Sequence, residues 1–356
     1  MTSRKVPRAG FILAGNHPEG DPRAGLEATL RLFAFGEELG YDVAGIRQRH
    51  LERGISSALP FLAAASQRTH TIRLETDVVP LGYETPFRLA EDYGTVDALS
   101  GGRVNVGIST SSPHGDLLAS LGRSDDALDP YALIERFLEA LEGEVLAEEA
   151  LYTPYGPQVP RIEPHIEGLR DRVWLGGGSE RSVKWAAQHG LKLLLGNLSD
   201  AGGHDVFEPA QRDHLDLYHS EFRKFRGSDE AIVGVERVIV PTTTATAEQR
   251  AHYLAYAEAR RARTAEPAEL GGRRVVFQRD LVGTAEQIIE RLADDPSFDG
   301  RTELRVALPY GFTEDEYRQI LFDIRHAVLP ALGWEAGSDE SVEASVPASV
   351  TAHEAA

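Results

Sequence analysis

The apolar residues in the first part of the chain follow two alternating patterns. Short, mostly apolar runs that are typical of buried strands occur at 11–15, 41–46, 72–80 and 103–109. After each run, apolar residues recur at helical spacing, which predicts helices over 24–40, 60–68, 86–99 and 131–146. No hairpin signal separates the runs. The pattern therefore predicts successive strand–helix units, and such units form a parallel sheet.

The same alternation continues towards the C-terminus. Further strands are predicted at 173–175, 191–195, 232–241 and 303–309, and all but the strand at 191–195 are followed by a predicted helix. The proline-rich residues 149–172 predict an extended connection, and the polar segments 199–230 and 262–274 predict insertions or a lid. Seven or eight units indicate an α/β fold in which residues 1–336 form one (β/α)8 TIM barrel with insertion segments. A doubly wound sheet with a second domain is the alternative, because alternation does not reveal whether a sheet closes.

Composition restricts the class of protein further. The 356-residue chain has 56 acidic and 37 basic residues and a net charge of −19, which argues against nucleic-acid and anionic-membrane partners. The absence of cysteine excludes disulfides, thiolate metal sites and cysteine nucleophiles, and we predict no metal site. No run reaches roughly 18 apolar residues or resembles a signal peptide, so a cytoplasmic location is expected. Residues 337–356, rich in Ser, Glu, Ala and Val, predict a disordered tail.

One strand-to-helix turn has the chemistry of an anion site. Three glycines, Gly176–Gly178, follow the strand at 173–175, and Ser179 and Ser182 open the next helix. Glycines let backbone N–H groups approach an anion, and a helix N-terminus presents unpaired N–H groups and the positive end of its dipole. The same residues also fit an ordinary turn with Ser179 as N-cap, and spacing alone leaves both interpretations open. Arg181 stands where a dinucleotide fingerprint has its third glycine.

Several segments resemble one family when they are taken together in chain order. They are Glu38–Asp42, Ile72–Pro80, Thr85–Asp92, Asp97–Val104, Trp185–Gly190 and Val282–Glu286. This order is similar to that of the bacterial luciferase-like flavin monooxygenases, and the likeness covers roughly residues 10–333. The resemblance implies a (β/α)8 barrel with an insertion, a reduced flavin at the C-terminal rim, and O2 as co-substrate.

The resemblance also implies cofactor-binding residues. Gly178, Ser179 and Ser182, with the adjacent Gly177, match the positions that hold the flavin phosphate. The Asp77–Val78 bond matches a position where the family often has a non-prolyl cis peptide beneath the flavin ring. The other residues expected at the cofactor are Val78, Ser109, which corresponds to the reactive cysteine of luciferase, and Asn197.

Candidates for chemistry come from the same comparison and from the ends of predicted strands. Arg49 aligns with the catalytic histidine of luciferase and the next histidine is retained as His50, so His50, Arg49 and Asp77 are the catalytic candidates. A purely structural role remains open for each of them: a loop hydrogen bond for His50, an outward salt bridge for Arg49 and a strand-end cap for Asp77. The substrate-binding candidates are His17, Arg273 and Arg274, of which the two arginines also fit a solvated pair.

The phosphate site departs from the family at two positions. Two arginines that clasp the flavin phosphate in luciferase correspond here to Thr110 and Tyr131. Each missing charge-assisted contact is worth about 1.5–3 kcal/mol. Other arginines could supply the charge; the candidates are Arg103, Arg123 and Arg181.

The expected function is that of a flavin-dependent monooxygenase. Reduced FMN from a separate flavin reductase would react with O2 at C4a to give a peroxyflavin that oxygenates a small organic substrate. An F420-dependent hydride-transfer oxidoreductase is one alternative, and a non-catalytic luciferase-like subunit of a heterodimer is another. The resemblance also favours a homodimer.

Overall fold

The computed structural model describes residues 6–111, 117, 120, 121 and 129–337, and within them sixteen strands and nine helices follow one another. The strands are β1 (Ala9–Leu13), β2 (Val43–Ile46), β3 (Arg73–Thr76), β4 (Val79–Pro80), β5 (Val104–Ser109), β6 (Leu151–Thr153), β7 (Gly156–Gln158), β8 (Val173–Gly177), β9 (Lys192–Leu195), β10 (Leu198–Asp200), β11 (Val233–Arg237), β12 (Ile239–Pro241), β13 (Ala268–Leu270), β14 (Arg273–Phe277), β15 (Leu281–Gly283) and β16 (Thr302–Ala307). The helices are α1 (Pro22–Glu38), α2 (Ala58–Ser66), α3 (Pro86–Ser100), α4 (Pro130–Leu141), α5 (Glu180–Gln188), α6 (Phe207–Arg226), α7 (Ala247–Arg260), α8 (Ala285–Asp294) and α9 (Glu314–Asp323).

Eight parallel strands close into a barrel, with β3 and β4 counted as one strand. The pairings run β3–β2–β1–β16–β11–β9–β8–β5, and β5 returns to β3. Strands β3 and β4 are two parts of one strand, interrupted at Asp77 and Val78. Because β3 hydrogen-bonds to both β2 and β5, the sheet closes on itself. The TIM barrel is therefore confirmed over the doubly wound sheet.

The structure corrects two of the predicted connections. Residues 199–230 contain the long helix α6, which packs against α5, and the buried Tyr218 hydroxyl on α6 donates to the Leu191 carbonyl at 2.7 Å. The prediction of an insertion there is wrong, because an amphipathic helix with a charged outer face resembles a polar segment in sequence. Residues 149–172 include the hairpin β6–β7 instead of forming only an extended connection. The predicted tail, apart from Gly337, lies outside the described residues.

The second polar segment forms a short arm that reaches the C-terminal end of the barrel. Strands β13 and β14 pair in antiparallel fashion, and β14 also pairs with β10, which directly follows barrel strand β9. This placement agrees with the predicted insertion at 262–274. It brings the first residue of β14, Arg273, to the rim where the strands end.

A layer of charged side chains crosses the middle of the barrel. Arg305 on β16 is fully buried and donates to both oxygens of Glu75 on β3, at 2.7 and 3.1 Å, and to Glu303 at 2.9 Å. The Asn105 amide donates to Glu75 at 2.9 Å, and the guanidinium of Arg305 lies over the ring of Trp174. These contacts pair each carboxylate of the layer with a cation or an amide, as buried charges require.

Gly107 on β5 occupies a position where a side chain has no room. A Cβ atom there would lie 1.8 Å from the Thr76 carbonyl oxygen. We therefore expect Gly107→Ala to lower the free energy of unfolding by about 1–3 kcal/mol, because the backbone of β5 must shift away from β3. Chemical denaturation measures this loss.

Gly203 provides the matched control for this substitution. It has open space around its Cα atom and no left-handed backbone, so Gly203→Ala is expected to be neutral or slightly stabilising. Equal stability of the two alanine variants would contradict the close approach of β5 to Thr76.

Candidate active site

Two adjoining cavities lie at the end of the barrel where the strands finish. One, of about 360 Å³, lies against the glycine–serine turn, and the other, of about 260 Å³, lies against the residues that follow β2. The two cavities share the lining residues Arg47, Asp77, Val78, Ser109 and Ser111. They therefore form two halves of one cleft, with Asp77 and Val78 on the floor between them. Ligands of TIM barrels bind at this end.

The glycine–serine turn lines the first half of the cleft. Gly177, Gly178, Ser179, Ser182 and Asn197 all border it. Ser179 is the N-cap of α5: its hydroxyl accepts from the Ser182 N–H, and the Ser182 hydroxyl accepts from the Ser179 N–H. The turn is thus a capped helix start that also faces a cavity, so the N-cap interpretation is confirmed and the anion site stays a prediction.

The capping contacts divide the roles of the two serines. The Ser182 hydroxyl is buried and donates to the Ser179 carbonyl at 2.9 Å, which commits it to the turn. The Ser179 hydroxyl accepts from the Ser182 N–H and also lies 3.0 Å from the Ser182 hydroxyl, so it would have to exchange that contact to donate to a ligand. The first helical residues, Glu180 and Arg181, have backbone N–H groups without intrahelical acceptors. This end of the cleft can therefore bind an anion.

The positive charge at this end comes from the arm. Arg273 lines the cavity and forms an ion pair with Asp200 at 3.1 Å, and its side chain is 54% exposed. Thr110 also lines the cavity and hydrogen-bonds to Tyr131, over whose ring the Arg181 guanidinium lies at 4.2 Å. Arg273 and Arg181 thus stand around the two positions where the family arginines are replaced.

The other cation candidates do not reach this end of the cleft. Arg103 is buried and donates to main-chain and side-chain oxygens of Ser66, Thr69, Ile72 and Ser100. Its suggested role as a replacement for the missing arginines is wrong, because all these contacts lie at the opposite ends of the strands. Arg123 lies outside the described residues.

Asp77 has an unusual environment on the floor of the cleft. It is 3% exposed, and neither carboxyl oxygen has a hydrogen-bond partner among the described residues. Burial raises the pKa of Asp77 well above its usual range; Glu236 and Glu75 add to the effect, while Arg47 and Arg305 oppose it. The bond from Asp77 to Val78 is cis, as the resemblance implies.

Arg47 and Glu236 complete the floor, and neither was predicted from the sequence. The Arg47 guanidinium donates to Glu236 at 2.5 Å, and both residues border the first cavity beside Asp77. Arg47 directly follows β2, so the rule that functional residues follow barrel strands could have found it. Glu236 lies within the apolar run of β11, where only its charge marked it.

His50 belongs to a small polar network in the second half of the cleft. Its ring stacks on Tyr83 with centroids 4.1 Å apart, and the Gln48 amide lies 3.3 Å from its Nε2 and donates to Glu84 at 2.9 Å. Partial burial lowers the pKa of His50 below its usual range, and the Glu84 carboxylate opposes this shift. The lowered pKa favours the neutral imidazole, which can accept a proton.

The remaining candidates are spread around the rim. Arg49 lines the second half of the cleft, and its guanidinium donates to the Tyr310 hydroxyl at 3.1 Å. Ser109 borders both halves, and its hydroxyl donates to Ser111. His17 lies on the loop after β1 and borders neither half. Arg274 points away from the cleft, where it pairs with Asp205 and donates to the His204 carbonyl.

The described part of the chain contains neither a helix that could span a membrane nor a cluster of metal-binding side chains. No helix there is long and apolar enough to cross a membrane. No group of three or more acidic or histidine side chains in those residues is arranged to hold a metal ion.

Residues 7–297 match the family described as luciferase-like monooxygenase. The match covers most of the chain, so the protein belongs to this family. Curated relatives include a 4-hydroxyprotoasukamycin monooxygenase from Streptomyces nodosus subsp. asukaensis, which is 36% identical over 30% of both chains. Another is an N-acetyl-S-alkylcysteine monooxygenase from Bacillus subtilis, 26% identical over 52% of this chain and 55% of the relative. The matched stretches thus span between about a third and a half of these relatives.

Solved structures share the fold over nearly the whole length. The monooxygenase RslO1 from Streptomyces bottropensis is 20% identical with a TM-score of 0.66, covering 91% of this chain and 99% of its own. The oxygenating constituent of 3,6-diketocamphane monooxygenase from Pseudomonas putida, in complex with FMN, is 14% identical with a TM-score of 0.65 over 91% and 98%. The F420-dependent tetrahydromethanopterin reductase from Methanopyrus kandleri is 14% identical with a TM-score of 0.62 over 92% and 99%.

Proposed function

We propose that the protein is a flavin-dependent monooxygenase that uses reduced FMN and O2 to oxygenate a small organic substrate. The observation that carries the proposal is the two-part cleft, with an anion-binding turn at one end and His50 at the other. Family membership and the FMN complex of a structural neighbour support it. When bound, reduced FMN supplies the electrons that activate O2.

The residues of the cleft fit such a cofactor. The Ser179 hydroxyl, the N–H groups that open α5 and the Arg273 guanidinium would hold its phosphate. Val78, Ser109 and Asn197 border the space beside the phosphate end. Asp77 offers a buried carboxyl that has no hydrogen-bond partner in the described part of the chain, which suits a ligand with hydrogen-bonding groups on its ring system.

The second half of the cleft would position the substrate. Neutral His50, fixed by its stack on Tyr83, would accept a proton from the substrate, and Arg49 would bind a polar or anionic group at the rim. His17 and Arg274 lie farther from this space and would contact only a substrate that extends over the rim. We further propose a separate flavin reductase as the source of reduced FMN, and a homodimer as the assembly.

Anaerobic mixing with reduced FMN, followed by O2, tests the function. We expect tight binding of reduced FMN and a transient absorbance that differs from those of reduced and oxidised flavin. Oxidation at the rate of free flavin without such a transient would exclude a monooxygenase. Binding of F420 but not FMN, with hydride transfer in the absence of O2, would favour the F420-dependent alternative. Failure to bind either cofactor would favour a non-catalytic subunit.

Arg273 allows the phosphate contact to be tested separately. We expect Arg273→Ala to weaken FMN binding about tenfold, because it removes the charge-assisted contact but leaves the turn. Binding of riboflavin, which lacks the phosphate, should not change. Isothermal titration calorimetry or fluorescence quenching measures both affinities.

The neighbouring Arg274 is the matched control for this experiment. It carries the same charge but pairs with Asp205 outside the cleft, so Arg274→Ala should leave both affinities unchanged. Equal losses for the two variants would mean that net charge, and not a phosphate contact, governs binding.

A further inference from the structure

Asp77 is the excess acid in a buried cluster whose cations are already paired. The charged groups that face it are Arg47 after β2, Glu75 on β3, Glu236 on β11 and Arg305 on β16. Arg47 is bonded to Glu236, and Arg305 is bonded to Glu75 and Glu303. Glu75, Glu236 and Glu303 therefore already engage the guanidinium groups of Arg47 and Arg305, and Glu303 also lies 3.7 Å from Arg8. An ionised Asp77 would add a further negative charge with no hydrogen bond to any of these groups.

The space around the carboxyl group shows where its proton would go. A Cβ atom on Gly45 of β2 would lie 3.3 Å from Asp77 Oδ2, so the absence of a side chain there leaves room for the carboxyl. Asp77 borders both halves of the cleft, yet neither oxygen bonds to any group among the residues the structure describes. A neutral carboxyl in this place has one O–H donor, and since no described residue accepts it, the proton is available to a ligand in the cleft.

We propose that Asp77 is a neutral carboxylic acid in the folded protein and that it donates a hydrogen bond to the ring system of the bound flavin. The proposal deepens the proposed function and rests on it. Arg47 and Glu236 act as positioning residues, because their ion pair engages the guanidinium that borders the cleft beside Asp77 and keeps it from pairing with Asp77. The donor stabilises negative charge on the ring without placing a fixed positive charge beneath it.

Infrared difference spectroscopy of the flavin-free protein tests the protonation state directly. At neutral pH, the spectrum of the wild type minus that of Asp77→Asn should contain the carbonyl stretch of a protonated carboxyl. Bands of an ionised carboxylate in its place would overturn the proposal. This measurement needs neither flavin nor O2, so its outcome is independent of the monooxygenase reaction.

A second buried aspartate serves as the control for assigning the band. Burial also raises the pKa of Asp42, but its carboxylate accepts from the Ala9 N–H and from Trp334 Nε1, both at the other end of the barrel. The Asp77 band should shift when oxidised FMN or F420 is added, and any Asp42 band, identified with Asp42→Asn, should not. An Asp77 band that moves with neither cofactor would refute the hydrogen bond to the ligand.

Flavin affinity distinguishes an Asp77 side chain that donates a hydrogen bond to the flavin from one that only fills space. Asp77→Asn has nearly the same shape and offers an N–H donor in place of the O–H, so it should bind riboflavin within about threefold of the wild type. Asp77→Ala offers no donor and should bind riboflavin about three- to tenfold more weakly than Asp77→Asn. The midpoint potential of the bound flavin should fall in Asp77→Ala and be restored in Asp77→Asn. Equal affinities and potentials in the two variants would show that Asp77 donates nothing to the ring.

Discussion

Replacing Arg305 with methionine is expected to lower the free energy of unfolding by about 3–5 kcal/mol. The guanidinium is fully buried and makes three hydrogen bonds to Glu75 and Glu303. Without it, Glu75 loses its ion pair in the barrel interior and Glu303 keeps only its longer contact with Arg8, at 3.7 Å. Their desolvation is then uncompensated, and this cost exceeds the net value of the original ion pairs. Urea denaturation followed by circular dichroism measures the loss.

An exposed ion pair of similar geometry is the control. Arg31 donates to both oxygens of Glu314, but its side chain is 50% exposed. Arg31→Met should therefore cost less than about 1 kcal/mol. In the double variant Glu75→Gln/Arg305→Met, the loss should be smaller than the sum of the single losses, because the substitutions remove both sides of one interaction. Additive losses, or equal effects at Arg305 and Arg31, would contradict the charged layer.

The Asp77→Asn variant is expected to be more stable than the wild type by an amount that grows with pH. Burial raises the pKa of Asp77 in the folded state, so above its unfolded pKa of about 3.9 the folded protein binds more protons at this site than the unfolded chain does. Wild-type stability therefore falls as pH rises, until the pH exceeds the folded pKa. Asparagine does not titrate, so the difference between the proteins should increase by up to about 1.4 kcal/mol per pH unit.

Denaturation of both proteins between about pH 5 and pH 8 measures this slope. A constant difference across the range would mean that Asp77 has an ordinary pKa in the folded protein. A difference of opposite sign, with the wild type gaining stability as pH rises, would mean that Arg47 or Arg305 pairs with Asp77 in solution. Asp42→Asn is the control for burial alone. The Asp42 carboxylate is buried but hydrogen-bonded, so the stability difference between Asp42→Asn and the wild type should change less with pH.

The order of the strands and helices in the barrel was predictable because the sequence signals for these elements are local. Apolar runs at strand length and helical spacing between them depend on residues a few positions apart, and the structure confirms every predicted barrel strand within a few residues. The prediction of an insertion at 199–230 was wrong because it, too, used only local polarity. Helix α6 buries one face and exposes charges on the other, so average polarity resembled that of a loop.

Part of the site was also predictable, but only where one segment forms it. The residues of the glycine–serine turn, Gly177–Ser182, lie next to each other in sequence, and one segment both caps α5 and faces the cleft. The difference between the adjacent residues Arg273 and Arg274 was not predictable. Successive side chains on strand β14 point to opposite faces, and only its pairing with β10 decides which face meets the cleft.

By itself, the sequence determined the alternation of strand–helix units, a capped turn suited to an anion, and membership of the luciferase-like monooxygenases. Only the tertiary structure decided the electrostatics of the cleft floor. Glu236 lies 189 residues from Arg47 in sequence, and no local pattern joins them to Asp77. Closure of the barrel brings the ends of β2, β3 and β11 within reach of one another. The charge state of a buried carboxyl depends on which protein groups lie beside it once the barrel is closed, and on which of its hydrogen bonds are left for a ligand to form.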